Sequence, residues 1–200
     1  MKIATRAAIL LLATAALGGC VAPVGPVEVT RFHDATLLER AGRGTIAVEA
    51  APGMDAGSLE LRSYQAAVIR QLTMLGYHEA RAGTSAAQVA LVRLERRAFR
   101  PGRGKGPVSV GVGGGTGSYG SGVGMGIGLD LSGPPPEQVT TELGVQIRDR
   151  ASSKTVWEGR ASFTVRASSP LANTELGAAK MTEALFAGFP GNSGETIEVK

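Results

Sequence analysis

The 200-residue sequence predicts an α+β fold: a two-layer sandwich of a mainly antiparallel sheet with two helices on one face, plus a glycine-rich β-ribbon or loop insertion. Three observations carry this. Apolar and polar residues alternate at strand period in several separate segments. Two of those segments flank a short turn, making an antiparallel hairpin. Two further segments carry apolar residues at helical spacing, giving the order strand, strand, helix, strand, insertion, strand, strand, helix. About 140 residues lie outside the leader, tether and insertion, enough to bury a core.

The chain opens with MKIATRAAILLLATAALGGC. Lys2 and Arg6 give a basic start without an acid, and Ala7 to Leu17 is an almost unbroken apolar run. That is the layout of a secretory signal peptide over residues 1–19. A run of this length spans about half of the ~30 Å hydrocarbon core, so a permanent transmembrane helix is not expected. Residues 20–26 carry Ala, Pro and Gly and read as a tether; residues 27–200 form the domain.

Val27 to Phe32 alternates and predicts the first strand, and Thr45 to Glu49 the second, closed by Pro52-Gly53. A helix is expected from Ser58 to Leu75. Ser58 suits the N-cap and Glu60 the positive end of the dipole, while Leu61, Tyr64, Val68, Leu72 and Leu75 make one stripe. Gly76 fits a left-handed stop. Val89 to Glu95 is a strand with Ala90, Val92 and Leu94 on one face. Leu143, Val145 and Ile147 alternate in another. Asp149 to Lys154 supplies the turn, and Thr155 to Arg166 returns with Trp157, Gly159, Ala161, Phe163 and Val165 on one face. A second helix is expected from Leu171 to Phe189, with Met181, Leu185 and Phe189 aligned and Pro190 ending it. Thr196 to Val199 can add a short edge strand.

The insertion, about 102–133, contains fourteen glycines in thirty-two residues. Its strings at Gly111, Gly113 and Gly115 superficially match a dinucleotide fingerprint. That fingerprint requires a helix directly after the turn, and here more glycine follows. With no Gly-Lys-Ser/Thr either, nucleotide binding is not expected. Val108, Val110 and Val112, then Val123, Met125, Ile127, Leu129 and Leu131, stand two apart. A two-stranded ribbon turning around Gly117-Ser118-Tyr119-Gly120 fits this spacing. The plainer expectation is that it folds back on its own sheet, extends it or stays mobile, and the sharper one that it packs against lipid or a copy of itself.

Charge is concentrated rather than large. The formal net charge is +4, and losing Lys2 and Arg6 with the leader leaves +2. Arg93, Arg96, Arg97, Arg100, Arg103 and Lys105 fall within thirteen residues. Of these, Arg96, Arg97, Arg100, Arg103 and Lys105 are the candidate contact region, suited to anionic lipid or an envelope protein partner. A solvated strand end leading into a loop is the plainer reading of the same cluster. Export argues against a nucleic-acid partner.

No catalytic constellation is legible. His33 and Asp34 are adjacent and point apart on a strand. His78 follows the helix, where it is expected to cap carbonyls. No serine sits in a nucleophile-elbow pattern, and Asp130 and Glu137 flank a Pro-rich turn without a motif. One cysteine and two histidines exclude a disulfide framework and a cysteine zinc cage. No catalytic residues, metal or cofactor are expected, and an enzyme is not the expected class.

The lone cysteine is informative. Leu17-Gly18-Gly19-Cys20 resembles the lipobox of bacterial lipoproteins: a branched aliphatic, two small residues, then the cysteine. The resemblance implies cleavage between Gly19 and Cys20, thioether linkage of diacylglycerol to Cys20, and acylation of the new amino terminus. Two or more acyl chains give stable anchoring, at about 0.8 kcal/mol per buried CH₂. Asp after the cysteine is the usual inner-membrane retention signal, so Val21 points to the periplasmic face of the outer membrane.

Beyond the lipobox, the chain resembles the bacterial lipoproteins grouped as domain-of-unknown-function family 4136. The matching residues are Ile69-Arg70-Gln71-Leu72 through Leu75-Gly76-Tyr77, Ala86-Ala87-Gln88-Val89, the hairpin Ile147 to Ala161 and Phe189-Pro190. The resemblance implies an α+β envelope lipoprotein with no established activity. The expected function is a lipid-anchored, periplasmic, non-enzymatic accessory or binding module. The alternatives are a component that self-assembles through its glycine ribbon, and a hydrolase or transferase whose site is not recognisable locally. The sequence leaves oligomeric state and ligand open.

Overall fold

The computed structural model describes residues 25–81, 84–102, 108–117, 120–129 and 135–200, the stretches 108–117 and 120–129 by backbone only. The chain runs β1 (Val27–His33), α1 (Ala35–Ala41), β2 (Thr45–Ala50), α2 (Leu59–Met74), β3 (His78–Glu79), β4 (Gln88–Phe99), β5 (Val108–Gly117) and β6 (Gly120–Leu129). It continues with β7 (Gln138–Asp149), β8 (Thr155–Arg166), a 3₁₀ turn (Pro170–Ala172), α3 (Thr174–Phe186) and β9 (Thr196–Val199).

Seven strands form one open sheet in the order β3-β2-β4-β7-β8-β1-β9. The pairs β4–β7, β7–β8, β8–β1 and β1–β9 are antiparallel. The pairs β2–β3 and β2–β4 are parallel. The sheet is therefore mainly antiparallel with a parallel margin, and α2 crosses over between β2 and β3. β1 lies between β8 and β9, so the first strand is paired entirely to segments from late in the chain.

α2 forms where the sequence places it. The Ser58 hydroxyl accepts the Leu61 N–H at 3.3 Å, and Leu61, Tyr64, Val68 and Leu72 are buried. Gly76, at φ +93°, takes the left-handed turn that ends it, with the Tyr77 N–H closing on the Leu72 carbonyl at 3.0 Å. The second long helix is shorter than its apolar stripe predicts. Asn173 interrupts it by accepting the Glu175 N–H at 2.9 Å, so Pro170–Ala172 makes a separate 3₁₀ turn. At the other end the helix stops at Phe186, and Gly188 adopts φ +67°. Phe189 thus lies outside the helix and packs its ring against Trp157, at a centroid distance of 5.2 Å.

α1 is an element the alternation did not reveal. The Asp34 carboxylate caps it by accepting the Leu37 N–H at 2.9 Å, and none of its residues is buried. The buried Gln88 amide ties its far end to β4, donating to the Ala41 and Gly42 carbonyls at 3.0 and 2.9 Å.

α2 and α3 pack side by side on one face of the sheet, enclosing a single core. The alternation along β7 and β8 decides which side chains enter it. Val139, Leu143, Val145 and Ile147 meet Trp157, Ala161, Phe163 and Val165 beneath the helices. Trp157 is fully buried, stacks on Phe186 with centroids 5.3 Å apart, and donates its indole N–H to the Pro190 carbonyl at 3.1 Å. Gly159 is what makes room for it. A Cβ there would lie 2.3 Å from Trp157 Cη2 and 2.8 Å from Leu185 Cδ1, closer than packed atoms tolerate.

β5 and β6 pair antiparallel as a two-stranded sheet separate from the other seven strands, in register from Val108–Leu129 to Gly117–Gly120. This backbone pairing matches the ribbon expected from the spacing. Its turn residues Ser118 and Tyr119, and all its side chains, lie outside the described residues.

Candidate functional site

The face of the sheet away from α2 and α3 is uncovered among the described residues, and its residues lie in rows set by strand register. One row crosses five strands as Thr196, Thr30, Arg160, Gly144 and Arg93. The next, about 7 Å along the strands, is Glu198, Glu28, Ser162, Glu142 and Glu95. On the other side of the first row stand Phe32, Glu158, Gln146 and Leu91. A guanidinium row thus lies between two rows containing carboxylates.

Gly144 leaves a notch in the middle of this face, and the surrounding side chains wall a shallow concavity of about 540 Å³. Here glycine is not required by packing. A Cβ at Gly144 would meet only the Arg93 Cβ, at an ordinary 3.7 Å. The charges are partly spoken for: Arg160 donates from Nε and NH2 to Glu158 at 2.9 and 2.7 Å, and Arg93 reaches the Pro52 carbonyl at 3.3 Å. Such a surface offers donors and acceptors in alternating rows, which is the chemistry of polar recognition.

The basic cluster divides by strand alternation, because β4 runs on to Phe99 rather than ending near Glu95. Arg93 and Arg97 point to the bare face and Arg96 points under the helices. Arg96 therefore acts as a structural bolt. It pairs with Glu60 at 2.7 Å, reaches the Thr174 hydroxyl at 3.3 Å and bonds the Ala172 carbonyl, joining the starts of α2 and α3 to β4. Arg97 is exposed and paired with Glu95 at 2.9 Å, and Arg100 is exposed with Glu137 at 3.9 Å. Arg103 and Lys105, and at the other extreme Gly19, Cys20 and the leader, lie outside the described residues.

His78 does not cap α2. It sits exposed on β3, its N–H donating to the Gly44 carbonyl at 3.1 Å, while the helix carbonyls are met by the N–H groups of Leu75, Gly76 and Tyr77. Asp34 caps α1, and the His33 backbone exchanges hydrogen bonds with the Ser193 hydroxyl. Among the described residues no group of three or more His, Cys, Asp or Glu is placed to hold a metal ion, and no helix is long and apolar enough to cross a membrane.

The family model "Domain of unknown function (DUF4136)" matches residues 48–191, most of the sheet and both long helices. The chain belongs to the DUF4136 family. An uncharacterized protein of Zymomonas mobilis is 33% identical over 63 residues, which are 32% of this chain. The match spans about a quarter, 24%, of that relative's length. Among solved structures, a PDZ domain protein of Parabacteroides distasonis aligns over 88% of this chain and 39% of its own, at 11% identity and TM-score 0.49. A leucine-to-methionine variant of the PelC dodecamer of Paraburkholderia phytofirmans aligns over 80% of this chain and 96% of its own, at 15% identity and TM-score 0.43.

A residue that sequence reasoning missed is Arg31, which stands ahead of the stretch matched by the family model. On β1 it occupies a core-facing position between Val29 and the end of the strand and is only 4% exposed. Its Nε donates to the Leu185 carbonyl and its NH2 to the Ala184 carbonyl, both at 2.9 Å, so a buried cation closes the C-terminal end of α3. Burial pulls its guanidinium pKa down, and the Glu195 carboxylate pushes the other way. Gly191, at φ +81°, lies against it, where a Cβ would approach Arg31 Cδ to 2.7 Å. The sequence signal was an arginine at an inward position of an alternating strand.

Proposed function

We propose that this chain is a lipid-anchored envelope lipoprotein, held through acyl groups on Cys20 at the periplasmic face of the outer membrane. On this reading its DUF4136 domain is a non-enzymatic binding module. The observation that carries the anchor is the lipobox Leu17-Gly18-Gly19-Cys20, in which the only cysteine of the chain occupies the acylated position. Only the six residues Val21–Pro26 separate that cysteine from β1, a spacing suited to a tether. The uncovered sheet face, with its glycine notch between Arg93 and Arg160, is the surface the module offers to a partner. Labelling cells with a radioactive fatty acid tests the anchor: wild type incorporates label and Cys20→Ala does not. Equal label in both proteins refutes the assignment.

A second reading, assembly between copies through the glycine ribbon, is favoured by one observation. The β5–β6 ribbon is a sheet of its own, so each of its strands has an outer edge unpaired among the described residues. Sizing of the detergent-extracted protein with and without residues 102–133 separates the readings. An oligomer that becomes a monomer on deletion supports assembly, and a monomer in both removes it.

A further inference from the structure

We propose that the bare face of the sheet is an interface between two copies of this chain, packed face to face about a two-fold axis that crosses the strands between Glu142 and Gly144. This rests on the reading above that the face receives a partner, and it names that partner.

The protomer contains a hole it does not need. Gly144 costs backbone entropy in the interior of β7, and the space above it is open, since a Cβ there would meet only the Arg93 Cβ at 3.7 Å. β7 is the middle strand of the seven, so the notch is central to the face. Two guanidiniums flank it in register, Arg160 on β8 and Arg93 on β4. Two residues earlier on β7, on the same face, stands Glu142. It is exposed and makes no ion pair among the described residues. A carboxylate knob and a guanidinium-walled hole thus lie about 7 Å apart on one strand.

Such a pair is complementary to itself. In a two-fold contact each copy offers the other the same patch. An axis running along β7 would lay each charged row on its own equivalent, with Glu142 on Glu142 and Arg160 on Arg93. Like charges brought together at an interface are costly. An axis crossing the strands between the two rows exchanges them instead. Glu142 of each copy then enters the other's notch between Arg93 and Arg160, and Glu95 meets Arg93. Arg93 makes no ion pair of its own among the described residues, while Arg160 is shared with Glu158 and Glu95 with Arg97. Towards the β9 edge, Glu28 and Glu198 fall on the neutral Thr30 and Thr196.

Area and anchorage fit the same arrangement. The twelve-residue strands β4, β7 and β8, with β1 beside them, present about 700 Å² in plan, close to the roughly 800 Å² per partner of a standard interface. An axis crossing the strands also keeps the β1–β9 edges of both copies on one side. Both six-residue tethers then leave along the side that faces a single bilayer, as two copies anchored in one leaflet require.

The test uses the chain from Cys20 onward carrying Cys20→Ser, sedimented from about 1 µM to about 1 mM, a range that covers weak and moderate affinities. Expected is a concentration-dependent dimer. Gly144→Trp fills the notch from the solvent side and should weaken association roughly 100-fold with the melting temperature kept. Arg93→Glu should weaken it about 10-fold, and adding Glu95→Arg should restore it, because the pair re-forms across the axis with its signs exchanged. These two exposed positions decide the matter even if the tryptophan lowers the melting temperature. A chain that stays monomeric throughout overturns the proposal, and so does a double reversal that restores nothing. A dimer that survives Gly144→Trp also overturns it, and loss of that dimer on deleting residues 102–133 assigns the contact to the ribbon. Fatty-acid labelling at Cys20 is read separately, so a monomer here leaves the anchored reading standing.

Discussion

Two glycines on neighbouring strands show how differently the two faces of this sheet are built. Gly159 on β8 faces the helices and Gly144 on β7 faces away, one register step apart. At Gly159 a single added carbon collides with Trp157 and Leu185; at Gly144 it makes one ordinary contact. The covered face is a close-packed solid in which position fixes residue size. The bare face leaves residue size unconstrained, so what it carries is chemistry: alternating rows of guanidinium and carboxylate groups. Close packing and exposed charge thus lie on opposite sides of the same strands.

The contrast can be broken at graded cost. Gly159→Ala should have the largest effect, about 3 kcal/mol of lost stability, because the rigid indole cannot yield without disturbing Phe186 and Phe189. Urea denaturation measures it, and a variant within 0.5 kcal/mol or so of wild type would mean the indole has room elsewhere.

Arg31→Ala comes next, at roughly 2 kcal/mol, since the Leu185 and Ala184 carbonyls lose their donors inside the protein. Hydrogen exchange should locate the loosening in the last turn of α3. Uniform loosening across the sheet would argue that Arg31 acts by packing and not by capping.

A smaller effect is expected from alkali. Burial holds the Tyr77 phenol above the ordinary tyrosine pKa, with the Arg43 guanidinium opposing, and its hydroxyl is buried with no hydrogen-bond partner among the described residues. As pH rises through the ordinary tyrosine range, the unfolded chain loses this proton first. The stability present below that range is therefore lost as pH climbs. Tyr77→Phe should be as stable as wild type or more so at neutral pH, and should fall less steeply between pH 9 and pH 11. Tyr64, raised chiefly by burial in the same direction, accounts for a remaining slope.

The smallest change belongs to Gly144→Ala. Replacing a strand-interior glycine at a site with room should be neutral or stabilising by about 0.5 kcal/mol. A loss approaching that of Gly159→Ala would erase the distinction between the faces.

Much of this layout was legible in the alternation. The turn residues 149–154 and the period-two pattern on either side place β7 and β8, and the bounds of β8 agree with the sequence reading residue for residue. Asp149 sits at that turn, its carboxylate accepting from the Ser152 hydroxyl and N–H at 2.6 and 2.7 Å, which hold its pKa below the ordinary range. α2 was equally plain, because cap, stripe and stop agree. α1 was not, since seven residues with none buried leave no stripe to read. Nor was the parallel pairing of β2 with β3 and β4: alternation reports which side of a strand is wet but not which strand lies beside it. The division of the basic cluster between two faces was hidden for a related reason. Its spacing in sequence is close, and β4 continuing to Phe99 sends Arg96 to one side and Arg93 and Arg97 to the other. The function of Arg31 required knowing where α3 ends, 154 residues later.

The position of β1 has a consequence for how the molecule comes into being. Its neighbours are β8 and β9, and Thr30 touches Thr196 across 166 residues of chain. Loops that long close slowly, and neither of β1's partners in the sheet is available until β8 and β9 have been made. Any machinery that receives the front of the nascent protein therefore meets an open chain. The same late closure makes the final residues the latch of the sheet, so truncation at the carboxyl terminus should unfasten the opposite terminus first.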